Sequence, residues 1–471
     1  MTGSTVVGVD SSTQSCKVLV CDAETGRVLR SGRADHPQTL EAAPGQWWQA
    51  FESASDGLLD GASAIAVAAQ QHGMVTLDAD DRVVRDALLW NDLRSAADTA
   101  DLIDELGAAE WAAAVGSVPA ASFTVTKLRW LARNEPANAA RVAQVMLPHD
   151  WLTWQLSRSG DPAADAVTDR GDASGTGYFS PATGCYRLDL LERAFGGAPR
   201  LPRLADPGEQ VGRTSSGALV GPGTGDNMGA ALGLGAGPGD VVLSLGTSGT
   251  VFGVADEPCA DATGYVSGFA DATGRFLPLV CTLNAARVLT STAAMLGTDL
   301  AGLDELALRA EPGAGGLTML PYLDGERTPN LPDATGSLHG LTRAAMTPEN
   351  LARAAVEGML CSLADGLDAL TATGFRARRL LVIGGASASR AVRASLAELF
   401  GLPVALPDPA EYVALGAARQ AAWVLAGGRP DALPDWPVAA TALPDPSAAD
   451  LERGQAVRAR YAAIRLATYG V

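Results

Sequence analysis

Histidine is scarce in this 471-residue chain, with only His36, His72, His149 and His339, and that scarcity speaks against a histidine-rich metal site. The six cysteines (Cys16, Cys21, Cys185, Cys259, Cys281 and Cys361) are scattered, with no C-x-x-C pair. Both a zinc ribbon and a disulfide framework are therefore excluded, and the cysteines read as free thiols. No apolar run approaches the ~18–20 residues that span a bilayer. The N-terminus reaches a strand by Val6 without a basic region or a long apolar core, so no secretory leader is visible and a cytoplasmic location is the expectation. There is no G-x-x-x-x-G-K-[ST], no G-x-S-x-G and no H-E-x-x-H, and neither Gly221-Pro222-Gly223 nor Gly233-Leu234-Gly235 completes G-x-G-x-x-G. Lysine and isoleucine are sparse against Ala, Gly, Arg and Asp. That is the imprint of genomic base composition and carries no functional weight.

What is present is an acidic globular chain, 47% hydrophobic and 19% charged, with a formal net charge of −18. The negative field repels nucleic acid and anionic membranes. Its length exceeds what one hydrophobic core supports, so two domains are expected, residues 1–236 and 237–471, with the seam in the glycine-rich stretch 233–239. The first third reads as strands 5–10, 15–21 and 27–34 in an antiparallel meander, a helix near 47–60 and a buried strand 64–69, with helices prevailing from Arg94 to about Leu156. The second half repeats the plan with strands 240–245, 249–254 and 275–281. It continues with a helix capped at Thr347-Pro348-Glu349, a buried strand 380–383 and a last helix near 448–468.

Two strand–turn–strand units stand out. In the first, Val6–Val9 leads into Asp10-Ser11-Ser12-Thr13 and returns through Lys17. In the second, Val241–Leu245 leads into Gly246-Thr247-Ser248-Gly249. Small hydroxyl-bearing turns offer amides and hydroxyls to phosphate oxygens, and a carboxylate at a strand end can hold the water shell of a metal. Each turn taken alone also reads as an ordinary polar hairpin tip. Glycines deliver Asp226 to a helix start, where it is either the N-cap or a general base facing a substrate hydroxyl. A helix N-terminus favours the ionised carboxylate, and an ordinary aspartate pKa near ~4 would serve such a base. Gln70-Gln71-His72-Gly73 ends a buried strand and could hydrogen-bond a polyol, although His72 equally reads as a satisfied buried histidine. Trp47-Trp48 and Trp90 offer apolar platforms of the kind sugar sites use, or core. Gly384-Gly385 follows a buried strand and could pass under a nucleoside, or be a routine turn.

In this order and at these spacings the segments resemble the FGGY family of carbohydrate kinases, from Val6 to about Trp423, and most closely its xylulose-phosphorylating branch. Two long stretches carry the resemblance: Ser122–Asn134 (SFTVTKLRWLARN), and Gly336–Leu341 (GSLHGL) continued by Asn350–Glu357 (NLARAAVE). Leu320–Pro329 (LPYLDGERTP) is also typical of pentulose kinases. The chain departs from the family pattern at Ser12, Gln71 and Ala386, where glycine, methionine and glycine are common. Asn227 after Asp226 separates it from glycerol kinases.

The resemblance implies an α/β fold of two ribonuclease H-like domains of the actin/hexokinase superfamily, flanking a central active-site cleft, with sugar on the N-terminal domain and ATP on the C-terminal one. It implies ATP-dependent phosphorylation of a pentulose, D-xylulose first, with Asp226 as general base and Asp10 holding Mg²⁺ through water. Gln71, His72, Asp226 and Asn227 would bind the sugar. Ser12, Thr13, Lys17, Gly246, Thr247, Gly384 and Gly385 would bind the nucleotide. With a net charge of −18, that nucleotide site must rely on local amides, hydroxyls and Mg²⁺. The expected partner is a small-molecule sugar, with no nucleic acid and no membrane, and a homodimer is compatible with it. The alternatives are a family member acting on another ketose, polyol or aldonate, a non-catalytic sugar sensor, and an actin- or chaperone-like ATPase.

Overall fold

Strand β1 (Thr5–Ser11) pairs antiparallel with β2 (Ser15–Asp22), and β3 (Val28–Asp35) extends the meander. On its other side β1 runs parallel to β4 (Ala62–Ala69), with Ser11 level with Ala69. The Asp10 turn and the Gln70-Gln71-His72 segment therefore leave the sheet side by side. Short strands β5 (Leu219–Val220) and β6 (Thr224–Gly225) lie parallel to β4. The register Thr224↔Ala68 and Gly225↔Ala69 brings the approach to Asp226 level with the same sheet end.

The central strands are apolar on both faces, as expected of strands covered on both sides. Val7, Val9, Ile65 and Val67 pack on one face with helix α1 (Pro44–Ala54) and the tryptophans. Val6, Ala64 and Ala66 pack on the other. Helix α1 starts before the expected residue 47 because Pro44 fits the first helical position, and it stops at Ala54 ahead of Gly57, whose φ is +66°. Among the helices of this part are α2 (Thr124–Asn134), α3 (Pro148–Arg158), α4 (Arg170–Ala173) and α5 (Asp226–Gly233).

The second half repeats the arrangement. Strand β7 (Asp240–Leu245) pairs antiparallel with β8 (Gly249–Gly253), and β8 with β9 (Phe276–Thr282). On its other side β7 runs parallel to β10 (Arg379–Ile383), followed by β11 (Val404–Pro407) and β12 (Ala440–Ala442). The order β3-β2-β1-β4 in one sheet thus matches β9-β8-β7-β10 in the other. Helix α6 (Pro348–Ala372) begins at Thr347, whose hydroxyl accepts the Asn350 N–H at 3.2 Å, the cap read from sequence.

The computed structural model describes residues 3–471, and these divide into two units. The first runs through Ala236 and takes in Asp256–Leu277 and Ala410–Val438. The second holds Gly237–Ala255, Pro278–Pro409 and Ala439–Val471. Helix α7 (Tyr412–Leu425) therefore belongs with the first unit although it follows most of the second, and α8 (Ala448–Tyr469) belongs to the second. Helix α7 lies directly on β1 and α5: a Cβ on Gly416 would stand 1.9 Å from the Gly229 carbonyl oxygen, so only glycine permits the approach. Among the described residues no helix is long and apolar enough to cross a membrane.

Candidate active site

Asp10 is buried at the end of β1. The Ser12 hydroxyl donates to its Oδ1, and Lys17 Nζ stands 3.7 Å from its Oδ2 and 2.6 Å from Glu411 Oε2. The serine that replaces the usual glycine thus spends its hydroxyl on the carboxylate. Burial pushes Asp10 up to about 6; Ser12 and Lys17 oppose the rise, while Glu411 adds to it. The turn is fixed from outside by His36 Nδ1 on the Ser12 carbonyl at 2.9 Å and by Trp90 Nε1, which donates to Thr13 Oγ1 at 2.8 Å.

Asp226 is the first residue of α5, and Gly225 occupies the cap position. Its Oδ1 accepts both the Asn227 backbone N–H and the Asn227 side-chain amide, each at 2.8 Å. The same amide donates to Gln71 Oε1 at 3.1 Å. Asp226, Asn227 and Gln71 therefore form one chain of contacts linking α5 to the end of β4. The expectation that the helix terminus keeps an ordinary carboxylate is corrected here. Burial, with the negative charge of Asp10 added, raises Asp226 to about 7, against the pull of the Asn227 hydrogen bonds.

His72 follows Gln71 with φ +68°, a left-handed conformation uncommon outside glycine and concentrated at functional sites. Its Nδ1 is 2.8 Å from the Gly175 carbonyl, its ring stacks on Phe123 at 4.8 Å, and its own carbonyl accepts the Thr124 hydroxyl at 3.0 Å. The ring is thus satisfied and locked, as the buried-histidine reading expects. Trp47 is a core residue, edge-on to Trp151 at 6.5 Å, and the platform reading does not hold for it.

Behind this chain of contacts lies a group that sequence reasoning missed. His149 on α3 is fully buried, with Nδ1 2.6 Å from Asp172 Oδ2 and 3.3 Å from Asp150 Oδ1, and Nε2 3.9 Å from Asp169 Oδ1. Burial pulls the imidazole down, but the three carboxylates outweigh it and raise it to about 9. The composition is that of a metal-ligand set, yet a 2.6 Å N–O contact is the length of a charge-assisted hydrogen bond. The group reads as an ion pair. His149 is adjacent to Asp150 in sequence, but its partner Asp172 is 23 positions on, so only the fold could reveal the pair.

Within the second unit, the Gly246-Thr247 turn and Gly384-Gly385 also leave adjacent strand ends, since Ser244 is level with Ile383. Gly384 has φ +91°, and a Cβ there would stand 2.7 Å from the Leu245 carbonyl oxygen. The 246–247 turn is anchored by the Ala286 N–H on Gly246 O at 2.9 Å. Of the long motifs, several charges prove to be braces. Buried Lys127 donates to the Ala121 carbonyl at 3.0 Å, and Arg129 grips Glu105 at 2.6 and 2.8 Å. Arg353 bridges Glu357 at 2.6 Å and Glu398 at 2.8 Å. In the 320–329 segment, buried Glu326 accepts from the Leu283 N–H at 2.6 Å and from Asn284 at 3.0 Å.

The N-terminal domain model of the FGGY family of carbohydrate kinases matches residues 5–237, and its C-terminal domain model matches residues 241–425. A protein named xylulose kinase from Streptomyces coelicolor is 48% identical over 442 residues, covering 90% of this chain and 89% of that protein. One of the same name from Streptomyces rubiginosus is 48% identical over 448 residues, covering 92% and 90%. The crystal structure of xylulose kinase from Bifidobacterium adolescentis superposes with a TM-score of 0.88 at 43% identity, covering 97% of this chain and 99% of that one.

Proposed function

Because the chain belongs to the FGGY family of carbohydrate kinases, we propose that it transfers the γ-phosphoryl group of ATP to the 5-hydroxyl of D-xylulose, with Asp226 as the general base. The observation that carries this reading is the Asp226–Asn227–Gln71 chain beside Asp10 and His72, in a protein 48% identical to relatives named xylulose kinase.

Asp226 accepts the hydroxyl proton as the new P–O bond forms. A carboxylate raised to about 7 is a stronger base than an ordinary aspartate, yet a large fraction stays ionised near neutrality. Asn227 holds Oδ1 and so directs Oδ2 toward the substrate oxygen. Gln71 and His72 contact the ketose hydroxyls, held by Asn227 and Gly175 respectively.

The nucleotide segments suit phosphate. Lys17 carries the cation of the first turn, and the bare backbone at Gly384 leaves room that a side chain would fill. Asp10 suits Mg²⁺ held through water, since a buried carboxylate raised to about 6 gains from a nearby cation. When bound, Mg²⁺ neutralises the β- and γ-phosphate oxygens. Ser12, Thr13, Lys17, Gly246 and Thr247 supply donors around the phosphates, and Gly384-Gly385 the adenosine contact.

The test is sugar-dependent ADP release across ketoses, polyols and aldonates. D-xylulose is expected to give the highest kcat/KM. Faster turnover of another acceptor would replace the substrate, and sugar binding without ADP release would leave a sensor instead of a kinase.

A further inference from the structure

Asp226 receives part of its geometry from residues outside the proposed sugar and nucleotide sites. Strand β6 leads into it, and β6 rests on α3 and α4. A Cβ on Gly223 would stand 2.6 Å from His149 Cδ2 and 3.1 Å from Thr153 Oγ1. The Thr224 hydroxyl donates to Asp169 Oδ2 at 2.8 Å, and Asp169 also caps α4 by accepting the Gly171 and Asp172 N–H groups, each at 2.9 Å. Past α4, the Gly175 carbonyl holds His72 at 2.8 Å. The 169–175 segment thus touches the strand before the base and the ring beside the sugar residues. It is tied to α3 through buried His149, which pairs with Asp172 at 2.6 Å and stands 3.9 Å from Asp169.

We propose that His149 and Asp172 are positioning residues for the reaction: their buried ion pair locks α4 beneath β6 and His72, and the charge on Asp172 acts on the Asp226 carboxylate. The proposal rests on Asp226 being the base.

Asp226 lies in the field of Asp10 from β1 and Asp172 from α4. His149 faces Asp150 on its own helix, and Asp172 and Asp169 from α4. Asp10 is faced by Lys17 and Glu411, and Asp150 acts on Tyr178 and Tyr186. Asp172 is fully buried, so its charge is weakly screened at Asp226. Removing the negative charge at 172 favours the ionised base. Removing the positive charge at 149 leaves Asp150 and Asp172 without their counter-ion, and burial, which already raises both carboxyls, drives them to take up protons, so the negative field at Asp226 weakens in that variant too.

The experiment is the pH profile of kcat/KM for D-xylulose at saturating Mg·ATP, run on the wild type, His149→Gln and Asp172→Asn. The acid limb is expected to move down in both Asp172→Asn and His149→Gln, by on the order of one pH unit in the first. The KM for ATP is expected to change less than about twofold in both. A displaced limb is not what loosened packing gives, since packing loss lowers kcat in both variants without moving the limb. Equal losses with unmoved limbs, or upward displacement, would overturn the proposal.

Should His149→Gln fail to fold, Asp172→Asn carries the sign test alone. Asp226→Asn separates the two levels of the argument. If it keeps near-normal turnover, the base assignment itself falls. If turnover is lost there but the limbs of the pair variants stay fixed, only the positioning role falls.

Discussion

The Asn227 side-chain amide lies 2.8 Å from Asp226 Oδ1, and the adjacent backbone N–H approaches the same oxygen at the same distance. One carboxylate oxygen is thereby held by two donors from a single neighbour. On the proposed reading, the other takes the substrate proton.

Asp226→Asn keeps the shape and removes the basicity. Turnover is expected to fall by at least ~10³-fold, the upper part of what a general base contributes. ATP affinity by calorimetry should stay within about threefold. A variant with near-normal kcat would remove Asp226 from the mechanism.

The pH dependence follows from the raised carboxylate. Asp226 must be ionised to accept a proton, and burial together with Asp10 brings it to about 7. The sign is therefore fixed: kcat/KM for D-xylulose is complete above that value and is lost as pH falls through it. A profile flat down to pH 5 would contradict both the burial argument and the role.

His72 separates sugar from nucleotide. Removing its ring loses the Gly175 contact and the Phe123 stack. His72→Ala is expected to raise the dissociation constant for the ketose by at least ~10-fold, the loss of one or two buried hydrogen bonds. ATP binding should be little changed, and parallel calorimetric titrations of the two ligands check the split.

Lys17 is the opposite case. It pairs with Glu411 at 2.6 Å and stands 3.7 Å from Asp10. Lys17→Met is expected to weaken ATP binding by ~10- to 100-fold, the range of a charge-assisted hydrogen bond. Glu411→Gln should not weaken it, since the lysine keeps its charge. Equal loss in both variants would mean that the pair serves packing alone.

Gly416 tests the frame. Its missing Cβ would fall 1.9 Å from the Gly229 carbonyl oxygen, on the helix that begins with Asp226. Gly416→Ala is expected to destabilise the protein by ~1–3 kcal/mol through overpacking, read as a lower denaturant midpoint. An unchanged midpoint would mean that α7 yields easily.

Much of this was legible before any coordinates. The apolar runs Val6–Val9 and Val241–Leu245 and the small residues after them specify strand and turn locally, as does the Thr347-Pro348 start of α6, so these elements appear where their own chemistry puts them. The long motifs carried the family, but not the reason for their charges. Lys127, Arg129 and Arg353 are spent on carbonyls and carboxylates that sequence distance hides.

The chain by itself determined which short segments carry carboxylate, hydroxyl and glycine, because strand, turn and cap preferences act over a few residues. Tertiary structure decided how those segments behave. Burial is a property of the packed whole, so the rise of Asp226 to about 7 could not be read from Gly225-Asp226-Asn227. A pair such as His149 and Asp172, 23 residues apart, becomes one electrostatic unit only when α3 and α4 exclude water around it.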